Sequence, residues 1–307
     1  MVLAPIVLFV YNRSWHTQQT VEALQKNELA EKSDLFIFAD GPKTANDEKV
    51  NEVRKYIKTI SGFKSVTISE KEKNCGLANS VISGVTEIIN KFGKVIVVED
   101  DLVTSRYFLK FMNEALDFFE KDKRIFSVSG YNYSSSVMQI PSSYKKDIYL
   151  SYRHGSTGWA TWIDRWHKVD WEVAYFAKIL NNQKLQEAFN RGGTDMSGML
   201  KAQMEGRIDS WAIRFDYSLF KNNCFNIRPI RSLVKHIGSD NSGTHSSTVD
   251  EKILAVNLDD NFMPKIEAVE PNKTILKNFR KVFDPQRQTP RYSIKRFIGK
   301  VLKRFFH

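Results

Sequence analysis

Residues 94–112 read KVIVVEDDLVTSRYFLKFM, and the change of character inside them decides the fold. Val95, Ile96, Val97 and Val98 form an unbroken apolar run. Glu99, Asp100 and Asp101 follow at once, and apolar spacing resumes at Leu109 and Met112 behind Thr104 and Ser105. Three adjacent carboxylates at the end of a core strand repel one another, and each must take up a proton or find a cation. A hard divalent ion removes the difficulty, because it takes carboxylate oxygens on one side and phosphate oxygens on the other. The alternative is that Asp100 or Asp101 caps the next helix, a task for which Thr104 and Ser105 are also at hand.

Outward from this stretch, short β-rich runs alternate with helical patterns. PIVLFV (5–10) precedes SWHTQQTVEAL (14–24); DLFIFAD (34–40) precedes a polar helix over 48–57; KSVTIS (64–69) precedes GLANSVISGVTEIINKF (76–92). Leu77, Val81, Val85 and Ile88 recur at helical spacing, and Gly93 stands where that helix should stop. After the acidic triplet comes the helical SRYFLKFMNEALDFF, then a fifth strand, RIFSVSG, near residue 127. Four such alternations predict a mostly parallel α/β sheet covered on both faces. Ligands bind such sheets at the carboxyl ends of the strands. The polar groups that invite explanation lie there: Tyr11, Asn12 and Arg13 after the first strand, Asp40 after the second, and the triplet after the fourth.

Composition bounds the remaining choices. With 307 residues, 42% hydrophobic and 26% charged, the chain is an ordinary globular one. LAPIVLFV lacks a preceding basic segment and reads as a first strand, not a signal peptide or anchor. Cys75 and Cys224 give no disulfide framework, so free thiols in a reducing compartment are expected. The formal charge is +11, but seven of the 46 basic side chains and none of the 35 acidic ones lie after Asp284. The body is therefore nearly balanced, which argues against a nucleic-acid partner and leaves a basic tail to explain. No GxxxxGK[ST] is present, and no GxGxxG follows the first strand, which argues against a P-loop NTPase or a dinucleotide-binding enzyme.

Beyond residue 150, aromatic residues concentrate in HGSTGWATWIDRWHKVDW (154–171), and helices are expected around 174–190 and 209–222. Trp159, Trp162 and Trp166 fall three and four apart, as on one helical face. That pattern reads as core packing, or with Trp159 at the pocket edge as a platform for a sugar ring. A polar loop, HIGSDNSGTHSS (236–247), follows, and residues 272–290 read as a weakly patterned connector.

These features together resemble the GT-A glycosyltransferases, nucleotide-sugar-dependent enzymes with a single Rossmann-like domain. Their DxD motif follows an apolar strand, and EDD is the variant of the Golgi N-acetylglucosaminyltransferases. PIVLFVYNR, FADGPK and NCGLANSVISG sit where nucleotide-binding segments of such enzymes sit, so the likeness covers residues 5–112. GSTGWATWIDRW and GSDNSGTH resemble segments of bacterial members that build surface polysaccharides. The resemblance, which thins after about residue 250, implies a GT-A α/β fold: a mostly parallel sheet flanked by helices, with a helical and loop-rich acceptor region; the residue spacing beyond it adds a C-terminal amphipathic helix. Together they divide the chain into a nucleotide-sugar-binding half (1–130), an acceptor-binding and catalytic half (131–270), and a connector with basic tail (271–307).

By the same resemblance, Tyr11, Asn12 and Arg13 would line the nucleotide pocket. Asp40 would accept a hydrogen bond from uracil, a turn role in DGPK being the alternative. Asn79 would approach the ribose or diphosphate. Asp101 would hold Mn2+ or Mg2+, with Asp100 and Glu99 contacting ribose, metal-bound water or donor sugar. His245 would supply a second ligand, with His236 close by. Asp209 would be the catalytic base, an N-cap being its alternative role and Asp216 the second candidate. The expected activity is transfer from a UDP-sugar to a glycan or lipid-linked glycan acceptor, with inversion. Its rivals are a sugar nucleotidyltransferase, which would need an N-terminal Gly-rich loop, and a non-enzymatic basic membrane- or RNA-associated protein. The expected place is cytoplasmic. Residues 291–307, RYSIKRFIGKVLKRFFH, carry apolar residues at helical spacing opposite basic ones. That suits an anionic membrane surface, or a helix docked on the domain.

Overall fold

The computed structural model describes residues 2–45, 47–240 and 256–284. Strands β1 (Ile6–Val10), β2 (Asp34–Ala39), β3 (Ser65–Glu70) and β4 (Lys94–Glu99) alternate with helices α1 (Ser14–Gln25), α2 (Glu48–Ile57) and α3 (Leu77–Phe92). After β4 come β5 (Leu102–Thr104), α4 (Phe108–Phe118), β6 (Ile125–Ser129), β7 (Ile148–Ser151) and β8 (Trp159–Trp162). Helices α5 (Ile163–Trp166), α6 (Phe176–Leu180), α7 (Gln183–Phe189), α8 (Met196–Met204) and α9 (Trp211–Lys221) then lead to β9 (Phe225–Pro229), β10 (Val234–His236) and α10 (Lys273–Lys281).

Eight strands form one sheet in the order β3-β2-β1-β4-β8-β6-β9-β7. Only β8 and β7 run against the rest, which makes the sheet mostly parallel and matches the GT-A expectation. Strands β5 and β10 pair separately, antiparallel, with His236 opposite Leu102. This small ribbon stands just past the end of β4, where the triplet lies.

Alternation along the buried strands sorts the core into two layers. Ile6, Leu8, Ile96 and Val98 pack in a cluster with Leu24 of α1 and Leu109 and Met112 of α4. Val7, Phe9, Val95 and Val97 face the other way, against Val81 and Val85 of α3 and Phe215 of α9. Continuous apolar runs such as IVLFV are what a doubly covered parallel strand requires. Gly84 lets α3 approach β1 closely, because a Cβ there would lie 2.8 Å from the Phe9 ring. Gly93 ends α3 at φ 78°, its N–H bonding back to Ile89 O.

The structure corrects several expectations. Trp159 and Trp162 lie on a strand, not a helix, and so face opposite layers; only Trp166 is helical. Trp159 is fully buried, its indole stacked between Trp166 at 6.0 Å and Trp211 at 5.0 Å. It is core packing and cannot serve as a sugar platform. The helix expected over 174–190 is two short ones, α6 and α7, the second capped by Asn182. The connector expected over 272–290 begins instead with α10. Asn272 caps it, and Ile275 and Phe279 bury against Tyr149 of β7. Among the described residues no helix is long and apolar enough to cross a membrane. His245 and the tail 291–307 lie outside the described residues.

Candidate functional site

Glu99 is the last residue of β4, Asp100 and Asp101 follow it in the turn to β5, and the structure splits the triplet between the two faces of the sheet. Strand alternation puts Glu99 on the face of Val95 and Val97, the face covered by α3 and α9. Asp100 and Asp101 turn toward α1. Thr20 of α1 holds that turn, its hydroxyl donating to Asp100 O at 2.8 Å and accepting from Leu102 N at 3.1 Å. Neither aspartate caps α4, and neither does Thr104 or Ser105. The start of that helix is served by Asn27, whose Oδ1 accepts from Leu109 N at 3.0 Å.

Arg13, in the turn between β1 and α1, answers the acidic charge. Its Nη2 donates both to Asp100 and, at 2.8 Å, to Asp101 Oδ2. The same Asp101 oxygen lies 3.3 Å from His236 Nε2 on β10. Gly238 closes over them: a Cβ there would lie 2.2 Å from Asp101 Oδ2, so any larger residue would have to displace that carboxylate. Ile237 N donates to Asp101 O at 2.9 Å. Asp240 faces His16 of α1 at 3.2 Å, so residues 236–240 lie along the triplet from β10 to α1.

The electrostatics follow from burial and neighbours. Burial raises the carboxyl of Glu99 well above its ordinary range, and Asp101 and Asp100 add to the effect. Burial also raises Asp100, against the pull of Arg13. Asp101 goes the other way: burial opposes its charge, but His236 and Arg13 hold it below the ordinary carboxylate range. Asp101 is thus the member of the three held most firmly as an anion.

Asp101 and His236 present a carboxylate oxygen and an imidazole nitrogen side by side. Among the described residues no group of three or more His, Cys, Asp and Glu could hold a metal ion by itself. A divalent ion at Asp101 would therefore complete its shell with phosphate oxygens and water, the usual arrangement for Mg2+ in nucleotide sites. The residues fit a metal bound together with a diphosphate. His236, kept in the sequence reading as a neighbour of His245, has no local signal of its own; the pairing of β10 with β5 brings it here.

The second wall of the site is the loop before α3. Asp40, at the end of β2, accepts from Gly41 N and Cys75 N on Oδ1, each at 2.8 Å, and from Gly76 N on Oδ2 at 3.1 Å. This is the turn role foreseen as its alternative, and only the remaining capacity of Oδ2 is open to a base. The close approach needs Gly41, where a Cβ would lie 2.3 Å from the backbone of Lys73. Asn79 Nδ2 donates back to Cys75 O at 3.0 Å. Helix α3 has no side-chain N-cap, so its first N–H groups are open to an anion. Tyr11 and Asn12 are half-buried in the β1–α1 turn, with Lys43 Nζ 6.0 Å from the Tyr11 ring.

Asp209 reaches this wall from the other half of the chain. It is exposed, and its Oδ2 lies 3.6 Å from where a Cβ would stand on Gly76. The N-cap of α9 is Ser210, which accepts from Ile213 N, so Asp209 is not the cap. Asp216, the second candidate base, is only 3% exposed and accepts from His154 N at 2.6 Å. It is too deep to meet an acceptor hydroxyl.

Burial pushes the Asp216 carboxyl up to about 7 from 3.8, against the pull of Arg153 and Arg228. Between those two values the native state keeps a proton that the unfolded chain has lost. Stability must therefore fall as pH rises through that window, by at most about 1.4 kcal/mol per pH unit from this group. Asp216→Asn keeps the acceptor oxygen and should remove that slope. Denaturant melts of both proteins from pH 4 to 8 test this, and parallel curves would show that Asp216 does not titrate there.

The model of a family described as "GNT-I family" matches residues 1–191. Among solved structures, S. aureus TarS 1-349 is similar at 11% identity and a TM-score of 0.43, over 76% of this chain and 59% of that one. The mannosyltransferase PcManGT from Pyrobaculum calidifontis, solved in complex with GDP-Man and Mn2+, is similar at 10% identity and a TM-score of 0.39, over 72% of this chain and 68% of that one. A longer S. aureus TarS structure matches at 13% identity and a TM-score of 0.42, over 77% of this chain. This chain spans 59% and 37% of the two TarS structures' lengths. No curated protein matches it.

Proposed function

The chain belongs to the GNT-I family of GT-A glycosyltransferases, and from that premise we propose that it transfers a sugar from a UDP-sugar to a glycan or lipid-linked glycan acceptor of a bacterial surface polysaccharide. One observation carries the reading. At the carboxyl end of β4, Asp101 is met by Arg13 and His236, while an uncapped α3 and the exposed Asp209 flank the loop beside it.

In this reading Asp101 and His236 hold Mn2+ or Mg2+, which supplies charge neutralisation for the departing diphosphate. Tyr11, Asn12 and Asp40 line the nucleotide. The open N–H groups of α3 meet diphosphate oxygens, and Asn79 stands on the same turn. Glu99, on the face shared with α3 and α9, reaches the donor sugar, and Asp100 the ribose. Asp209 takes the proton of the acceptor hydroxyl as that oxygen bonds to the anomeric carbon. The bond from that carbon to the diphosphate oxygen breaks, UDP leaves, and the configuration inverts.

A panel of UDP- and GDP-sugars, each with Mn2+, with Mg2+ and with chelator, tests the proposal. Metal-dependent release of UDP from at least one UDP-sugar is expected, with product anomer analysis reporting the stereochemistry. No release from any donor would count against it.

The placement beside a membrane rests on the sequence of residues 291–307 and is proposed on that ground. Co-sedimentation with anionic liposomes should be lost on truncation after Pro290. Equal binding without the tail would refute the attachment.

A further inference from the structure

The contacts of Arg13 point beyond a nucleotide-lining role. The backbone of Arg13 is fixed at the start of α1, where its carbonyl accepts both Thr17 N and Thr17 Oγ1 at 2.9 Å. Its guanidinium reaches the acidic turn after β4, where Nη2 alone makes the bonds to Asp100 and Asp101. Nη1 is buried against Gly238 and has no hydrogen-bond partner among the described residues. A buried donor without an acceptor is costly, and it marks where an acceptor belongs. Burial opposes the charge of Arg13, but Asp100 and Asp101 keep the guanidinium protonated.

Two facts then collide. The Asp101 oxygen that would ligate a divalent ion already touches Arg13 and His236, at 2.8 and 3.3 Å. A second cation cannot join it without repulsion at close range. Resting on the metal and nucleotide reading of this site, we propose that Arg13 is a built-in placeholder cation that excludes free metal. The metal enters together with the diphosphate, and Arg13 then leaves Asp101 to bind a diphosphate oxygen. The free Nη1 donor is the group prepared for that oxygen, and a guanidinium suits it because its fork serves carboxylate and phosphate alike. The consequence is an order of binding: metal alone binds weakly, and metal with nucleotide binds well.

The test measures Mn2+ binding by electron paramagnetic resonance, with and without UDP, on the full chain. Two neutral variants are used: Arg13→Met, which keeps the bulk, and Arg13→Gln, which keeps an N–H donor for the aspartates and guards against misfolding. Arg13→Lys keeps the charge. Mn2+ alone should bind at least about tenfold more tightly to the Met and Gln variants than to wild type or the Lys variant. In the presence of UDP the neutral variants should bind Mn2+ at least about tenfold more weakly than wild type, because a diphosphate contact is gone. Unchanged or weaker binding of Mn2+ alone in both neutral variants would overturn the placeholder role, even with UDP–Mn2+ still binding wild type. The reverse result separates the two readings. If removing the charge tightens Mn2+ alone but UDP never improves binding to wild type, the placeholder stands and the nucleotide assignment falls.

Discussion

Asp101→Ala is expected to abolish metal-dependent nucleotide binding while leaving the fold intact. Asp101 is the one carboxylate of the three held below its ordinary range, so it is the one ready to ligate a cation. Its partners, Arg13 and His236, would remain with no carboxylate between them, and Asp100 would keep Arg13 in place. Changes to groups that merely support a ligand cost roughly 10–100-fold in metal affinity, so loss of the ligand itself should cost about a hundredfold or more. Calorimetry with UDP and Mn2+ reads this directly, and circular dichroism reads the fold. Undiminished affinity in the variant would remove Asp101 from the metal site.

The second large effect belongs to Asp209→Asn. Asparagine keeps the shape but cannot take a proton, so turnover should fall by about a hundredfold or more while UDP affinity changes little. Because Ser210, not Asp209, caps α9, the substitution should not loosen the helix. A fall in turnover therefore cannot be attributed to a lost cap. Near-normal turnover would leave Asp209 as a surface carboxylate beside Gly76 with no part in the chemistry.

The first half of the sheet was legible because β1, β2 and β4 are nearly continuous apolar runs and the helices between them keep a 3.6-residue period. IVLFV, DLFIFA and KVIVVE need no partner to be recognised as buried strands. Later strands hide because their polar residues satisfy one another across the sheet. Asn226 and Arg228 of β9 are buried, yet FNIRP looks like a loop in the sequence. Ser127 donates to Asn226 Oδ1, and Arg228 Nε donates to Ser151 Oγ. The tryptophan spacing misled for a related reason. Three- and four-residue spacing is helical only if the backbone is, and WATW is a strand entered through Gly158 at φ 63°. Helix α10 was within reach, since Ile275, Phe279 and Val282 keep the period and Asn272 supplies the cap. At the site, the triplet announced itself by chemistry, because buried like charges demand a counter-ion. That Arg13 would provide the counter-charge, and that His236 would stand beside Asp101, depended on tertiary contacts that no local pattern encodes.

In the proposed mechanism a divalent ion and a nucleotide diphosphate meet at the carboxyl end of β4. A crystal of the full chain grown with UDP and Mn2+, with data collected at the manganese absorption edge, tests it most directly. An anomalous peak is expected within coordination distance of Asp101 and the diphosphate, with His236 adjacent and the Arg13 guanidinium withdrawn from Asp101 onto a phosphate oxygen. UDP bound elsewhere on the sheet, or bound at this site with Arg13 still on Asp101 and no manganese peak, would contradict it.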